Sequence, residues 1–448
     1  MCYNKYQQQI IHIMRGCDIF MNKNKIPNWI KLDNAATIYP STLSRKYASM
    51  FRMTITLKEK IDIDILSIAL NNVLKRFPSF RYELKQGIFW CYFKYIDGIP
   101  NIEEDYKNPM LRINFKKNNG FMFRIRYFDK RIAIEYFHAL TDGTGAITFL
   151  LTLAGEYLKI KHGINIKYNE KILDPNETPK EDEYKDSFKK YGNSLGFLEK
   201  ETPAYHIKGT IDKSSMLNII TGTLPIKDIK TKCNEYNCTV TQFLVSVMIL
   251  SLQEIQKKEN IKQHKRRDIK ISVPVNLRKI FPSTTLRNFS SYVNVGIESK
   301  YGYYSFEEIV SEVKNKMNIL LNKNRITSKI SANVKLANNY FIRLIPLFVK
   351  KHILSMSERL MGDRYNSITL SNLGVIDIPE EMAKYVKELG FIIGKSRGKP
   401  GSGSCISYKN NLYISFSRKI KESEFERLFF TNLVEMGIPV TIESNVGR

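Results

Sequence analysis

Phe51, Met53, Ile55 and Leu57 alternate with other residues as the inward face of a half-buried strand does. Leu66, Ala69, Leu70, Val73, Leu74 and Phe77 then recur at helical spacing, with Asp64 placed to cap that helix and Pro78 to stop it. Short period-2 or apolar segments at 80–84, 88–93, 111–115, 121–127 and 132–137 predict further strands, and Ile147, Leu150, Leu151, Ala154 and Leu158 mark a second helix. The first third therefore reads as a mixed sheet with covering helices.

Between 167 and 210 the chain turns polar, acidic and Pro-containing, which reads as a crossover between two halves. Beyond it, Thr239 to Gln242 and Ser305 to Glu308 form capping-box patterns ahead of apolar helices. Strands are predicted at 269–273, 292–297, 367–370, 405–408 and 412–416, the last two joined as a hairpin through Lys409, Asn410 and Asn411. No fixed-period repeat is present, which excludes solenoids and propellers. The expected fold class is α+β, with an extension at 1–28, a first subdomain at 29–166, the crossover at 167–210 and a second subdomain at 211–448. Within the extension, residues 1–20 are expected to be a loose segment.

Composition alters this picture little. The 448 residues are 43% hydrophobic and 25% charged, close to ordinary globular proteins, and long enough for two or three units of roughly 150 residues. Charge is less ordinary: 70 Lys and Arg against 44 Asp and Glu give +26. Lys outnumbers Arg more than two to one beside abundant Ile and Asn, the usage of an AT-rich genome. The densest cluster, Lys262, His264, Lys265, Arg266, Arg267 and Lys270, falls between a predicted helix and strand and reads as a solvated loop; elsewhere basic residues read as scattered among acids. No nucleic-acid-binding signature accompanies the charge, so no specific nucleic-acid partner is expected. Six dispersed cysteines (Cys2, Cys17, Cys91, Cys233, Cys238, Cys405) form neither a disulfide framework nor a metal-ligand spacing. Free thiols, no signal peptide and no apolar run of membrane-spanning length lead to an expected cytoplasmic location.

At the end of the strand at 132–137 the chain reads Phe137-His138-Ala139-Leu140-Thr141-Asp142-Gly143, a strand-to-helix turn. An imidazole with an ordinary pKa of about 6.5 is mostly free base at neutral pH, able to take a proton from a hydroxyl or amine attacking a carbonyl. Asp142, one turn away, is better suited to bonding helix N–H groups or a distant Arg than to orienting the ring.

These residues resemble the HxxxDG motif of the chloramphenicol-acetyltransferase-like superfamily, which includes alcohol acetyltransferases, polyketide-associated acyltransferases and the condensation domains of nonribosomal peptide synthetases. Nearly the whole chain from Trp29 takes part. Lys31-Leu-Asp-Asn-Ala-Ala-Thr-Ile-Tyr-Pro40 is similar to the opening of bacterial alcohol-acetyltransferase-like proteins, Val273-Pro-Val-Asn-Leu-Arg278 to the Pro-Val-x-x-Arg turn, and Leu370-Ser-Asn-Leu-Gly374 to the C-terminal strand end. The resemblance implies two similar subdomains, each a mixed sheet covered by helices, meeting at an active-site tunnel. It makes His138 the base, gives Asp142, Gly143 and Arg278 structural roles, and implies direct transfer of an acyl group from a CoA thioester to a small-molecule alcohol or amine. Many relatives have two consecutive histidines; here Phe137 stands first, and His138 occupies the position of the base.

Thr369, Ser371 and Asn372 are candidate substrate-binding donors or liners. Acyl-CoA is expected as co-substrate, with no tightly bound cofactor and no metal. Two alternatives remain: a carrier protein as acyl donor, and a non-catalytic binder of anionic polymers. Gly390 to Ser396 falls one residue short of a phosphate-loop spacing, and Gly398 to Ser404 reads as a flexible entrance loop, where Lys395, Arg397 and Lys399 could attract a polyanionic donor. The remaining histidines (His12, His162, His206, His264, His352) lack metal spacing. The apolar run Leu344 to Phe348, followed by Lys350 and Lys351, reads as a tunnel or core helix ahead of a membrane contact.

Overall fold

The computed structural model describes residues 26–43, 49–192, 195–197, 199–212, 216–357, 363–394 and 400–445. The expectations for residues 1–20, Cys2, Cys17, His12, Lys395, Arg397 and Lys399 lie outside them.

The alternating segment at 51–57 forms the strand Met50–Leu57, second in a five-stranded sheet with Arg131–Phe137, Phe123–Phe128 and Ile102–Glu104 following on one side. The helix Ile63–Arg76 follows, burying Leu66, Ala69, Leu70, Val73 and Leu74. Its cap is Asp62, not Asp64: Asp62 is extended (φ −92°, ψ 119°) and its Oδ1 accepts from the N–H groups of Asp64 and Ile65, whereas Asp64 already has helical neighbours on both sides. Residues 111–115 form no strand. Ile113 is buried there while Leu111 is exposed, so alternation serves packing without a hydrogen-bonded ladder. The segments around 80–95 make the strands Tyr82–Gln86 and Cys91–Tyr95, joined with Trp29–Lys31 in a separate three-stranded sheet.

Both capping boxes form, at Thr239 for the helix Val240–Lys258 and at Ser305 for Phe306–Leu320. These helices cover a seven-stranded mixed sheet in the order Ser290–Ile297, Ile269–Asn276, Ile368–Val375, Gly401–Tyr408, Asn411–Arg418, Asn218–Pro225, Thr441–Ser444. The fold is mixed α/β with two sheet-rich halves and a hydrophobic core in each. The cluster at 262–270 is an exposed turn leading into a strand. No single helix among the described residues is long and apolar enough to cross a membrane.

One strand ties the halves together. Val386–Ile393, from late in the chain, pairs antiparallel with Met50–Leu57 and completes the first sheet. Phe391 and Ile393 carbonyls also accept hydroxyl hydrogen bonds from Ser404 (2.7 Å) and Ser417 (2.6 Å) of the larger sheet. Gly390 and Gly394, which mimic a phosphate loop, belong to this strand and its end. A Cβ at Gly390 would stand 2.4 Å from Thr54 Oγ1, and one at Gly394 2.7 Å from the Met50 carbonyl, so close strand approach explains both. Residues 401–404 likewise belong to a strand instead of an entrance loop.

Candidate active site

The turn 138–143 sits where these sheets meet. Arg131–Phe137 buries Ile132 to Phe137 completely and delivers His138 to its end, where the His138 N–H donates to the Ser49 carbonyl at 2.8 Å. Asp142 then caps the helix Gly143–His162, its Oδ1 accepting from Thr144 N (3.1 Å) and Gly145 N (3.2 Å). That helix is buried from Gly145 to Leu158, and ends at Gly163 in the left-handed region (φ +67°) with Lys159, Lys161 and His162 in its last turn. The base-bearing turn is thus set between a rigid strand and a core helix.

Asp142 does two further things. Its Oδ2 accepts from Arg278 Nη1 and from the Phe289 N–H, both at 2.8 Å. Arg278 in turn donates to the carbonyls of Thr285 (Nε 3.0 Å, Nη2 2.7 Å) and Arg287 (Nη2 2.6 Å). One half-buried guanidinium therefore gathers the loop 276–289 of the second half onto the turn of the first. Thr141 Oγ1 donating to the Leu286 carbonyl (2.6 Å) and Asn276 Nδ2 donating to Thr144 Oγ1 (3.0 Å) close the same seam. No side chain fits at Gly145, where a Cβ would lie 2.2 Å from the Leu286 backbone oxygen; at Gly143 one would lie 2.7 Å from the movable Leu373 Cδ2.

The imidazole is held on three sides. Tyr39 stacks on it at 4.6 Å, Phe51 meets it edge-on at 5.0 Å, and Asn288 Oδ1 lies 3.2 Å from Nδ1. Asn288 Nδ2 donates to Asp33 Oδ2 and to the Ala139 carbonyl, each at 3.3 Å, which turns the amide oxygen toward the ring. An amide oxygen only accepts, so Nδ1 carries the proton and Nε2 keeps its lone pair. Burial lowers the pKa of His138, opposed by the ring's bond to its own backbone carbonyl, by Asp142's charge and by Asn288, so the neutral base dominates at neutral pH. Asp33 is fully buried, its Oδ1 accepting from Ala36 N at 2.7 Å; burial raises its pKa to about 7 against the pull of Arg287.

The sequence-selected residues meet here in part. His138, Asp142, Gly143 and Arg278 form one contiguous unit. Thr369, Ser371 and Asn372 lie on the strand Ile368–Val375, whose Leu373 reaches Gly143. Asn372 is occupied by its own turn, donating from Nδ2 to Thr241 Oγ1 (2.9 Å) and accepting at Oδ1 from Gly374 N (2.7 Å). Sequence reasoning missed Asn288, Asp33 and Tyr39. The last two lie within the 31–40 segment that carries the family resemblance, which was the available signal. Among the described residues no cluster of three or more His, Cys, Asp or Glu could hold a metal.

An alcohol acetyltransferase family model matches residues 126–399, which include the turn, the Arg278 loop and the strand end. The fold is similar to polyketide synthase associated protein 5 from Mycobacterium tuberculosis (TM-score 0.61, 15% identity, covering 91% of this chain and 98% of that one). It is also similar to F. sporotrichioides TRI101 complexed with coenzyme A and T-2 (0.61, 9%, 93% and 100%). The epimerization domain from the third module of tyrocidine synthetase B aligns comparably (0.58, 12%, 93% and 98%). A search of curated protein sequences returns no match. With more than half of its length matched by that model, the chain belongs to the alcohol acetyltransferase family.

Proposed function

We propose that the protein transfers an acyl group from a CoA thioester to a hydroxyl of a small-molecule acceptor, with His138 Nε2 as general base. The observation that carries this reading is the Asn288 hydrogen bond, which commits Nδ1 as donor and leaves Nε2 free. Nε2 takes the hydroxyl proton as the oxygen attacks the thioester carbonyl. The tetrahedral oxyanion then collapses, the C–S bond breaks, and the imidazolium returns the proton to the departing thiolate. Nothing in this sequence of steps calls for an acyl-enzyme.

Asp142, Gly143 and Arg278 keep the turn in shape, and Thr369, Ser371 and Asn372 line the junction from the second half, Asn372 through its turn. Donor and acceptor meet at the seam between subdomains 29–166 and 211–448, linked by the 167–210 crossover. A CoA donor relates to the solved TRI101 complex with coenzyme A, and a cytosolic location to the free thiols Cys91, Cys233, Cys238 and Cys405. The test is a screen of acyl-CoA donors of graded chain length against pooled alcohols and amines, reading release of free CoA. His138→Ala is expected to lower turnover about 10²- to 10⁴-fold; undiminished turnover sinks the assignment of the base.

A further inference from the structure

The segment that reads as a tunnel or core helix is instead an exposed elbow. The short helix Tyr340–Leu344 ends as Ile345 turns extended (φ −67°, ψ 128°) ahead of Pro346, and Leu347–Ser357 resumes in a new direction. Phe341 is 79% exposed and Phe348 69%, with Leu344 and Ile353 also open to solvent. The hairpin between the strands 82–86 and 91–95 abuts the elbow. The Leu347 N–H donates to the Ile88 carbonyl at 2.8 Å, and Lys350 Nζ donates to the carbonyls of Phe89 (2.9 Å) and Arg343 (3.0 Å). Lys351 Nζ reaches Gln86 Oε1 at 2.9 Å. Ile88, 77% exposed, and Trp90 therefore extend the same apolar patch.

Charge around the patch has one sign. Between Val313 and Ser357 the chain carries nine Lys and Arg and no Asp or Glu; Lys316 and Arg325 pair with Glu312 and Glu199 from outside it, whereas Arg343, Lys350 and Lys351 at the elbow bond only amide and carbonyl oxygens among the described residues. Arg343, Lys350 and Lys351 rim the exposed rings. Single exposed hydrophobics are ordinary, but a contiguous apolar tip with a purely cationic rim has the two-part composition of an interfacial anchor: rings for the acyl boundary, cations for anionic headgroups.

We propose that this elbow, with the Ile88–Trp90 hairpin tip, docks the protein on an anionic phospholipid surface. An acidic protein partner would satisfy the cations but not the protruding rings, which need an apolar phase; this favours lipid. Helix Leu347–Ser357 packs against Tyr39–Thr42, whose Tyr39 stacks on His138, so the docking element lies one helix away from the imidazole.

The test is flotation of the full chain with vesicles of phosphatidylcholine, with and without phosphatidylglycerol. Flotation only with the anionic vesicles is expected. Arg343→Gln with Lys351→Gln should reduce partitioning roughly 30-fold, and Phe341→Ser with Phe348→Ser should abolish the part that survives high salt. Circular dichroism melts should be unchanged, since all four side chains project from the core. Flotation regardless of lipid charge, no flotation, indifference to both double variants, or retention of a phosphopantetheinylated carrier protein in place of vesicles would each overturn the proposal. Binding does not depend on turnover, so His138→Ala should float as the unaltered chain does, keeping this test separate from that of the proposed reaction.

Discussion

Replacing Asn288 by Ala removes one hydrogen bond to His138 Nδ1 at 3.2 Å and two from the amide at 3.3 Å, to Asp33 and to the Ala139 carbonyl. At these lengths each contributes about 0.5–1 kcal/mol net, so the variant should lose about 1.5–3 kcal/mol of stability. Its kinetic signature separates positioning from mere folding. Without the amide oxygen the ring keeps only its bond to its own backbone carbonyl and its packing against Tyr39 and Phe51, so tautomer and orientation are held less firmly. Losing that orienting bond, about 0.5–1 kcal/mol, then lowers kcat about two- to fivefold, with KM nearly unchanged. Asn288→Asp supplies the control: it still accepts from Nδ1, yet adds a negative charge that raises the imidazole pKa. In the unaltered protein that pKa lies below the ordinary 6.5, so activity is full above this limb and falls as pH drops through it. The assay is CoA release across a pH series below and above neutrality, with 15N NMR of the imidazole reporting the tautomer. A kcat for Asn288→Ala equal to that of wild type, with an unshifted acid limb in Asn288→Asp, would refute the reasoning.

Two further outcomes are expected. Asp142→Ala should cost about 1 kcal/mol for the helix cap and more for the half-buried Arg278 charge left without its carboxylate; in a double-mutant cycle with Arg278→Ala, read by urea unfolding, the coupling should reach about 1–3 kcal/mol, and additive effects would show the pair to be independent. Asp33 ionises near 3.8 when unfolded and near 7 when folded, so its burial favours the fold fully below pH 3.8 and that contribution is lost as pH rises through 7; the difference amounts to about 4 kcal/mol. Asp33→Asn, which retains an acceptor but no charge, should therefore gain melting temperature relative to wild type between pH 4 and pH 7 and hold a constant margin above it; parallel profiles would contradict the assignment.

What was legible in the chain was local. The strand, turn and helix cap around His138 lie within a few dozen consecutive residues, and periodicity plus Asp-Gly spacing describe them. Asn288 lies 150 residues from His138 and Asp33 a further 255 from Asn288 in the opposite direction, so no window contains their contact. The strand 386–393 was hidden for another reason: close approach to Met50 and Thr54 demands the same small residues that a phosphate loop does, and a single chain does not show which. The Asp64 assignment failed by two residues because both aspartates precede the apolar period; only backbone dihedrals tell the residue outside the helix from the one within it.

Density of charge is a poor guide to unpaired charge. The cluster at 262–270 packs more cations per residue, but Asp268 and Lys270 form an ion pair at 3.6 Å, and Arg266 lies over the Tyr303 ring at 4.2 Å. The stretch 313–357 is thinner and contains no acid of its own; Lys316 and Arg325 find Glu312 and Glu199 outside it, but the elbow cations do not, and with screening over about 8 Å a local potential depends on what neutralises each cation more than on how many crowd together. The same distinction bears on the net +26. A genomic bias toward Lys raises the total everywhere, but it does not remove every carboxylate from 45 consecutive residues or leave Phe341 and Phe348 facing solvent among the cations that remain. At the elbow, by contrast, Arg343, Lys350 and Lys351 meet only carbonyl and amide oxygens among the described residues, and the proposed docking rests on that unpaired charge beside the exposed rings.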